Sequence, residues 1–341
     1  MGTPHQASVT PQRIQQMAWG YGPPLIIEAA LHNGVFDALD GEAKSVEEIA
    51  AITGASPRGL RIVLNALAGL ELLSKDASGR YSLTSESEAF LVSTRPSYLG
   101  GLIRHTSTQL VPKWLQLNDI VRNGRPARSV NDENEGTAFF HSFVEDIFPM
   151  SYPSAQALAE VLDLASATGP IRVLDLAAGS GVWSIALAQC SPHVTVTAVD
   201  WPGVLDVTLK VASRFGLEER YTLVPGDLES ADFGRGHDVA TLGHILHSEG
   251  EAASRALLKK TYEALAPGGT IAIAEFLVEE DRTGPPVALI FAVNMLVNTD
   301  EGDTFSFPEI RGWLEEAGFV DARTVPAPGP SPLILANKPR A

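Results

Sequence analysis

Gly179 and Gly181 stand in the stretch DLAAGSG (175–181), after the apolar run 173–176 and before a helix-forming segment. Asp200 closes the next strand-like pattern, 194–199. A turn without bulk that opens a helix offers unpaired N–H groups and room for a ligand at the carboxyl edge of a sheet. An acid at the end of the following strand can accept hydrogen bonds from both hydroxyls of a ribose. NAD and S-adenosylmethionine both carry such a ribose. A dinucleotide fingerprint would want a third glycine three residues after Gly181, and Ser184 stands there. The turn therefore favours a nucleoside ligand without a pyrophosphate. A second group, His244 and His247, lies just beyond the strand pattern 237–243 at the same edge. Imidazole is suited to taking a proton near neutral pH.

Bringing these groups together requires strands and helices in alternation. Residues 171–200 read as one βαβ unit: a strand buried on both faces, a helix over 183–189 and a second strand. Strands follow at 221–224, 237–243, 270–278, 320–325 and 332–336, with helices at 250–265 and 306–317. That is a seven-strand α/β pattern. The region before it is different. Residues 11–39 give two apolar helices broken at GYGPP (20–24), and SVEE (45–48) is a capping box. A helix starting at Ser56-Pro57 carries Leu60, Val63, Leu64 and Leu67 on one face, and a turn at DASG (76–79) leads to a short strand. Three helices and a β-wing make a winged helix. Residues 100–163 read as aromatic-rich helices with Trp114, Phe139, Phe140, Phe143, Phe148 and Tyr152, and 122–136 reads as an exposed polar connection.

The 341 residues suffice for two domains with substantial cores. A net charge of −16 disfavours nucleic acid and anionic membranes as partners. The helix 56–70 holds only Arg58 and Arg61, too few for a DNA-reading helix. The single cysteine, Cys190, excludes an internal disulfide framework and suits the cytoplasm. No signal peptide is evident in MGTPHQASVT, and no run of 18 apolar residues exists to span a membrane.

The stretch 175–181 resembles the first S-adenosylmethionine-binding motif of class I methyltransferases. HILHSEGE (244–251) resembles the segment WxLHDWxDE of their small-molecule O-methyltransferase branch, the caffeate, hydroxyindole and bacterial natural-product type. The resemblance runs from about Pro11 to Pro339. It implies a Rossmann-like seven-stranded methyltransferase domain over 169–341, connecting helices over 96–168 that contribute to the acceptor pocket, and a winged-helix dimerisation domain over 11–95 that makes a homodimer. It implies S-adenosylmethionine as cofactor, S-adenosylhomocysteine as product, and no metal. Asp175, Gly179, Ser180, Gly181, Asp200, Asp227, Leu228 and Gly243 are expected at the cofactor, and Trp201 is set to stack on the adenine. By the family's pattern His247 is the general base for a hydroxyl, and Glu275, 28 positions on, orients it. Phe140, Phe143, Phe148, Met150, Tyr152, His244, Asn294 and Met295 are expected to line the acceptor pocket.

The departures are specific. Ser248 and Glu249 replace the family's Asp-Trp pair, Gly243 replaces a common lysine, and Thr304 replaces a second glutamate. Two other readings stay open on the residues: methylation of a thiol or thioether, which needs less help from a base, and a cofactor-sensing winged-helix regulator.

Overall fold

The computed structural model describes residues 9–329 and 331–340. Most of the amino-terminal stretch read for a targeting signal lies outside them. The chain forms two compact units, one up to Thr108 and one from Gln109, so the connecting stretch 96–168 is shared between them.

The first unit holds α1 (Gln12–Ala18), α2 (Gly22–His32), α3 (Val35–Ala38), α4 (Val46–Thr53), α5 (Pro57–Gly69), the strands β1 (Leu73–Lys75) and β2 (Tyr81–Leu83), α6 (Ser85–Phe90) and α7 (Gly100–His105). The capping box forms as read: Glu48 N–H donates to Ser45 Oγ (3.2 Å), and Ser45 N–H donates to Glu48 Oε2 (2.6 Å). Leu60, Leu64 and Leu67, at helical spacing on α5, are buried with Phe36, Leu39 and Ile49. Each such side chain contributes ~1.5–3 kcal/mol on leaving water. The antiparallel wing pairs Leu73 with Leu83, and Lys44 bridges to Tyr81 beside it. α1 has no buried residue at all.

The second unit opens with α8 (Val111–Trp114), α9 (Leu117–Asn123), α10 (Glu133–His141) and α11 (Phe148–Val161). The α/β part follows: β3 (Ile171–Leu176), α12 (Val182–Cys190), β4 (Val194–Asp200), α13 (Pro202–Arg214), β5 (Tyr221–Pro225), β6 (His237–Gly243), α14 (Leu246–Ala264), β7 (Leu265–Ala274), α15 (Pro286–Asn298), α16 (Phe307–Ala317), β8 (Val320–Val325) and β9 (Leu333–Asn337). The seven strands order as β5-β4-β3-β6-β7-β9-β8, and only β9 runs antiparallel to its neighbours. Apolar cores fill both faces of the sheet, which is why its central strands are nearly unbroken apolar runs. From β3 the chain winds outward through β4 and β5, then returns to place β6 on the other side of β3. The carboxyl ends of β3 and β6 thus flank a topological switch point, the place where ligands bind in such sheets.

Two local differences from the sequence reading matter for the site. α14 begins at Leu246, not at Gly250, which is a kink inside it (φ 73°, ψ 176°). The connection 124–132 is not simply exposed. Val130 is buried and its N–H donates to Asn298 O (2.8 Å), while Asn131 Nδ2 donates to Ser248 O (3.1 Å).

Candidate active site

The turn after β3 takes three left-handed residues, Ala177 (φ 51°), Gly179 (φ 56°) and Gly181 (φ 73°). Its tightness is also steric, since a Cβ on Gly181 would meet Thr208 Cγ2 at 3.1 Å. Asp200 is held against this turn. Gly179 N–H donates to its Oδ2 (2.9 Å) and Trp201 N–H to its Oδ1 (2.7 Å). Burial pushes the Asp200 carboxyl up to about 6, against the pull of those two bonds and with the Asp175 charge adding to the rise. The carboxylate is fixed in direction and keeps lone pairs for two further donors.

Asp175 is different from what the motif suggests. It is buried, each oxygen accepting one side-chain hydrogen bond, from Ser184 Oγ (2.5 Å) and Thr241 Oγ1 (2.7 Å). Its carboxylate ties β3 to β6 and to α12. Ser180, within the turn, is likewise buried. Asp227 is exposed after β5 and caps its own turn, accepting from Glu229 N–H (2.8 Å). Lys260 Nζ holds the same turn by donating to Leu228 O (2.8 Å) and Glu229 O (2.9 Å), and the Leu228 side chain packs on the core.

On the other side of the switch point stands His247, in the first turn of α14. Its Nδ1–H donates to Glu275 Oε2 (2.7 Å), and its backbone N–H reaches Glu275 Oε1 (3.3 Å). Glu275, just past β7, is 2% exposed. Burial alone would raise its pKa, but the His247 charge and hydrogen bonds, with His244 behind them, bring it below the ordinary value. Because a carboxylate only accepts, Nδ1 carries the hydrogen and Nε2 is left as the basic nitrogen. Phe291 stands edge-on to the His247 ring (4.8 Å between centroids) and lies 4.2 Å from Phe276. The His247 carbonyl accepts from Asp303 N–H (2.9 Å).

His244, at φ 61°, is a non-glycine residue in the left-handed region, and its Nε2 pairs with Ser331 Oγ (2.9 Å). Burial lowers its pKa to about 4, with Glu275 opposing and His247 adding, so the ring is neutral near pH 7. Its place against Phe276 (5.2 Å) is that of a wall. Glu249, two residues after His247, is pushed up to about 7 by burial and by Asp227, against His247.

Of the expected acceptor residues, Asn294 lies one turn beyond Phe291 on α15. Its Oδ1 accepts from Trp114 Nε1 (3.0 Å) and Asn298 Nδ2 (3.1 Å), which turns its NH2 away as a donor. Met295 beside it is buried. Phe140 faces Trp201 (6.3 Å), and Phe143 packs on Phe139 (5.9 Å). Met150 lies near the loop before β9, its carbonyl 3.5 Å from where a Cβ on Gly329 would be. Phe148 and Tyr152 depart from expectation. They stack on each other (5.1 Å) and on Phe215, and Tyr152 OH donates to Gln189 Oε1 (2.6 Å). Gln189 and Phe215 are at the far ends of α12 and α13 from the turn, so these two rings close the outer side of the fold. Sequence reasoning missed Phe276, Phe291, Trp183 and Ser331. Only Phe276, next to Glu275, carried a positional signal.

No three His, Cys, Asp or Glu side chains group as a metal would require among the described residues, and no described helix is long and apolar enough to cross a membrane. An open polar groove of about 910 Å³, lined by Asp119, Arg125, Arg128, Glu135 and Asp300 among others, includes none of the residues expected at the cofactor, the base or the acceptor.

The chain was compared with known proteins. A family model for an O-methyltransferase domain matches residues 114–320, and one for an O-methyltransferase dimerisation domain matches 16–93. The 3-hydroxy-5-methyl-1-naphthoate 3-O-methyltransferase of Streptomyces sahachiroi is 32% identical, over 96% of this chain and 95% of its own. The structure of human N-acetylserotonin methyltransferase with S-adenosylmethionine superposes with a TM-score of 0.84 at 25% identity, covering 99% of this chain and all of that one. That of PigF with S-adenosylhomocysteine gives 0.83 at 28%, covering 97% and all.

Proposed function

The chain belongs to the O-methyltransferase family, and from that premise we propose that it methylates the hydroxyl of a small aromatic molecule, with His247 as general base and Glu275 orienting it. It is a methyltransferase, so the regulator reading falls away. The observation that carries the proposal is the 2.7 Å bond from His247 Nδ1 to a fully buried carboxylate, which leaves Nε2 to take a proton.

The residues present fit S-adenosylmethionine. Asp200 is pinned by two backbone donors with lone pairs to spare for a ribose, beside a turn that a side chain at 181 would crowd. The relatives crystallised with S-adenosylmethionine and S-adenosylhomocysteine support the same ligand here. Asp200, Gly179 and Gly181 would hold the nucleoside, with Trp201 and Leu228 at the base and Asp227 at its amino group. Bound there, S-adenosylmethionine supplies a methyl group on a positively charged sulfur.

The protein's own part is proton handling and positioning. A phenol has a pKa near 10, so at neutral pH a base must take its proton as the oxygen attacks. His247 Nε2 takes that proton, and Glu275, already in place, stabilises the imidazolium without further reorganisation. Phe276, Phe291 and the neutral His244 offer aromatic surface for a planar acceptor. Positioning of the two reactants supplies much of the remaining acceleration. The naphthoate specificity of the Streptomyces relative supports a hydroxylated fused-ring acceptor.

We further assign the exposed apolar residues of the amino-terminal helices to a homodimer interface. Ile14 (71%), Met17 (63%) and Trp19 (71%) are exposed, which is costly for a monomer, and the matched dimerisation domain, from residue 16, includes Met17 and Trp19 and begins two residues after Ile14. The functional domains are then 11–95 for dimerisation, 96–168 connecting and 169–341 for catalysis, in the cytoplasm.

The test is His247→Ala assayed with labelled S-adenosylmethionine and a panel of hydroxynaphthoates and phenols. Turnover should fall by ~10²–10⁴, with S-adenosylhomocysteine affinity by calorimetry unchanged. Near-normal turnover in the folded variant would reject the base.

A further inference from the structure

Trp183 sits in the first turn of α12, directly after the glycine turn, and is 5% exposed. Its indole fills the space where a side chain at position 243 would begin. A Cβ on Gly243 would stand 1.8 Å from Trp183 Nε1 and 2.4 Å from its Cδ1. The missing side chain at 243 and the indole at 183 are therefore one arrangement. No described residue accepts the indole N–H, and within this otherwise buried side chain the nitrogen is not closed off from solvent. The ring lies 6.2 Å from His244, which lies 6.3 Å from His247. The same turn of α12 has no side-chain cap, which leaves the backbone N–H groups of Val182 and Trp183 open at the positive end of the helix.

These donors call for an anionic acceptor. Neither 173–190 nor 237–254 contains a lysine or arginine, and position 243, where the resembling segment commonly has lysine, has no side chain. On the cofactor reading above, on which this inference rests, the ribose is taken by Asp200 and the acceptor by His247. The anionic group left over is the carboxylate of the methionyl end.

We propose that the Trp183 indole N–H, with the open first turn of α12, receives the cofactor's carboxylate in place of a lysine. Recognition is then by neutral donors and a helix end, and depends on Gly243 leaving room for the indole. Trp183 is a cofactor-positioning residue: it sets where the sulfur end of the ligand lies relative to His247.

The experiment is a ligand–variant cycle by calorimetry, using S-adenosylhomocysteine and its decarboxylated analogue, which keeps the nucleoside, the thioether and the amine. Binding of S-adenosylhomocysteine to the parent protein tests the underlying reading, and its failure there would remove the premise. Given that binding, Trp183→Phe, which keeps a ring but loses the N–H, should weaken S-adenosylhomocysteine about ten- to hundredfold, as for a hydrogen bond to a charged group. Binding of the decarboxylated analogue should change less than twofold. Because Trp183 is deeply buried, Gly243→Ala serves as a second variant. The added methyl displaces the indole, and the same carboxylate-dependent loss is expected. Equal losses for both ligands, or no loss for either, in the folded variants would overturn the proposal. So would an unchanged cofactor affinity with a raised KM for the acceptor, which would give the N–H to the other substrate.

Discussion

Replacing Glu275 with glutamine separates orientation from charge at the centre of the proposed mechanism. The parent carboxylate is 2% exposed and holds His247 through a 2.7 Å bond from Nδ1 and a 3.3 Å contact from the backbone N–H. When Nε2 takes a proton, an imidazolium and a carboxylate face each other. With charge centres about 4 Å apart and an effective dielectric of about 20, their attraction is ~4 kcal/mol. Glutamine can still accept from Nδ1, keeping ~1 kcal/mol of neutral hydrogen bond. The transition state then loses up to ~3 kcal/mol, which is ~100-fold in rate. Initial rates at saturating S-adenosylmethionine should show kcat down ten- to hundredfold in Glu275→Gln, with S-adenosylhomocysteine affinity kept. Stability against pH gives an independent reading. Glu275 has a folded pKa below its ordinary 4.5, so its ionised form is favoured in the native state. Its contribution is present above 4.5 and is lost as pH falls through the lowered folded value. Urea denaturation should therefore show the parent losing more stability than Glu275→Gln on acidification below 4.5. A kcat within twofold of the parent, or identical acid sensitivity, would refute the pairing.

Asp200→Ala should weaken S-adenosylhomocysteine at least tenfold by calorimetry, since two charge-assisted hydrogen bonds are worth roughly 1.5–3 kcal/mol each. With the free carboxyl raised to about 6, the accepting form fills as pH rises, so parent affinity should increase from pH 5 to 7 and that of Asp200→Asn should not. Asn294→Leu removes a donor held in orientation by Trp114 and Asn298, and should raise the acceptor's KM about tenfold in steady-state assays with little change in cofactor affinity. Ile14→Lys with Met17→Lys should shift light scattering at micromolar concentration from dimer to monomer, given how far both side chains project into solvent in one chain.

The cofactor half of the cleft was legible because it is local. A small-residue turn, the strand before it and the acid after the next strand lie within residues 171–200, and each follows from rules of short range. The dyad was legible by its resemblance alone, since His247 and Glu275 stand 28 positions apart across a helix and a strand. The acceptor walls were the least legible. Phe148 and Tyr152 look like pocket rings in sequence, but only the packing of α11 on α12 decides which face of the helix they take. Asp175 shows the same limit from the opposite side. Its motif suggests a ligand contact, while the bonds from Ser184 and Thr241 that bury it and tie three elements together come from residues the motif does not contain. Trp183 carried no signal because the space it fills is defined by the absence of a side chain 60 residues away.

The anchored connection 124–132 bears on how specificity could be transplanted between relatives. Val130 is fastened to Asn298, at the end of α15, and Asn131 is fastened to Ser248, next to the proposed base. Asp300 N–H returns to Asn131 Oδ1 (3.4 Å). A chimera that imports this connection alone would mismatch both of its anchors. Residues 124–132, 247–250 and 294–304 form one exchangeable cassette, scattered across the gene but closed in space, and a graft of acceptor preference would have to carry all three.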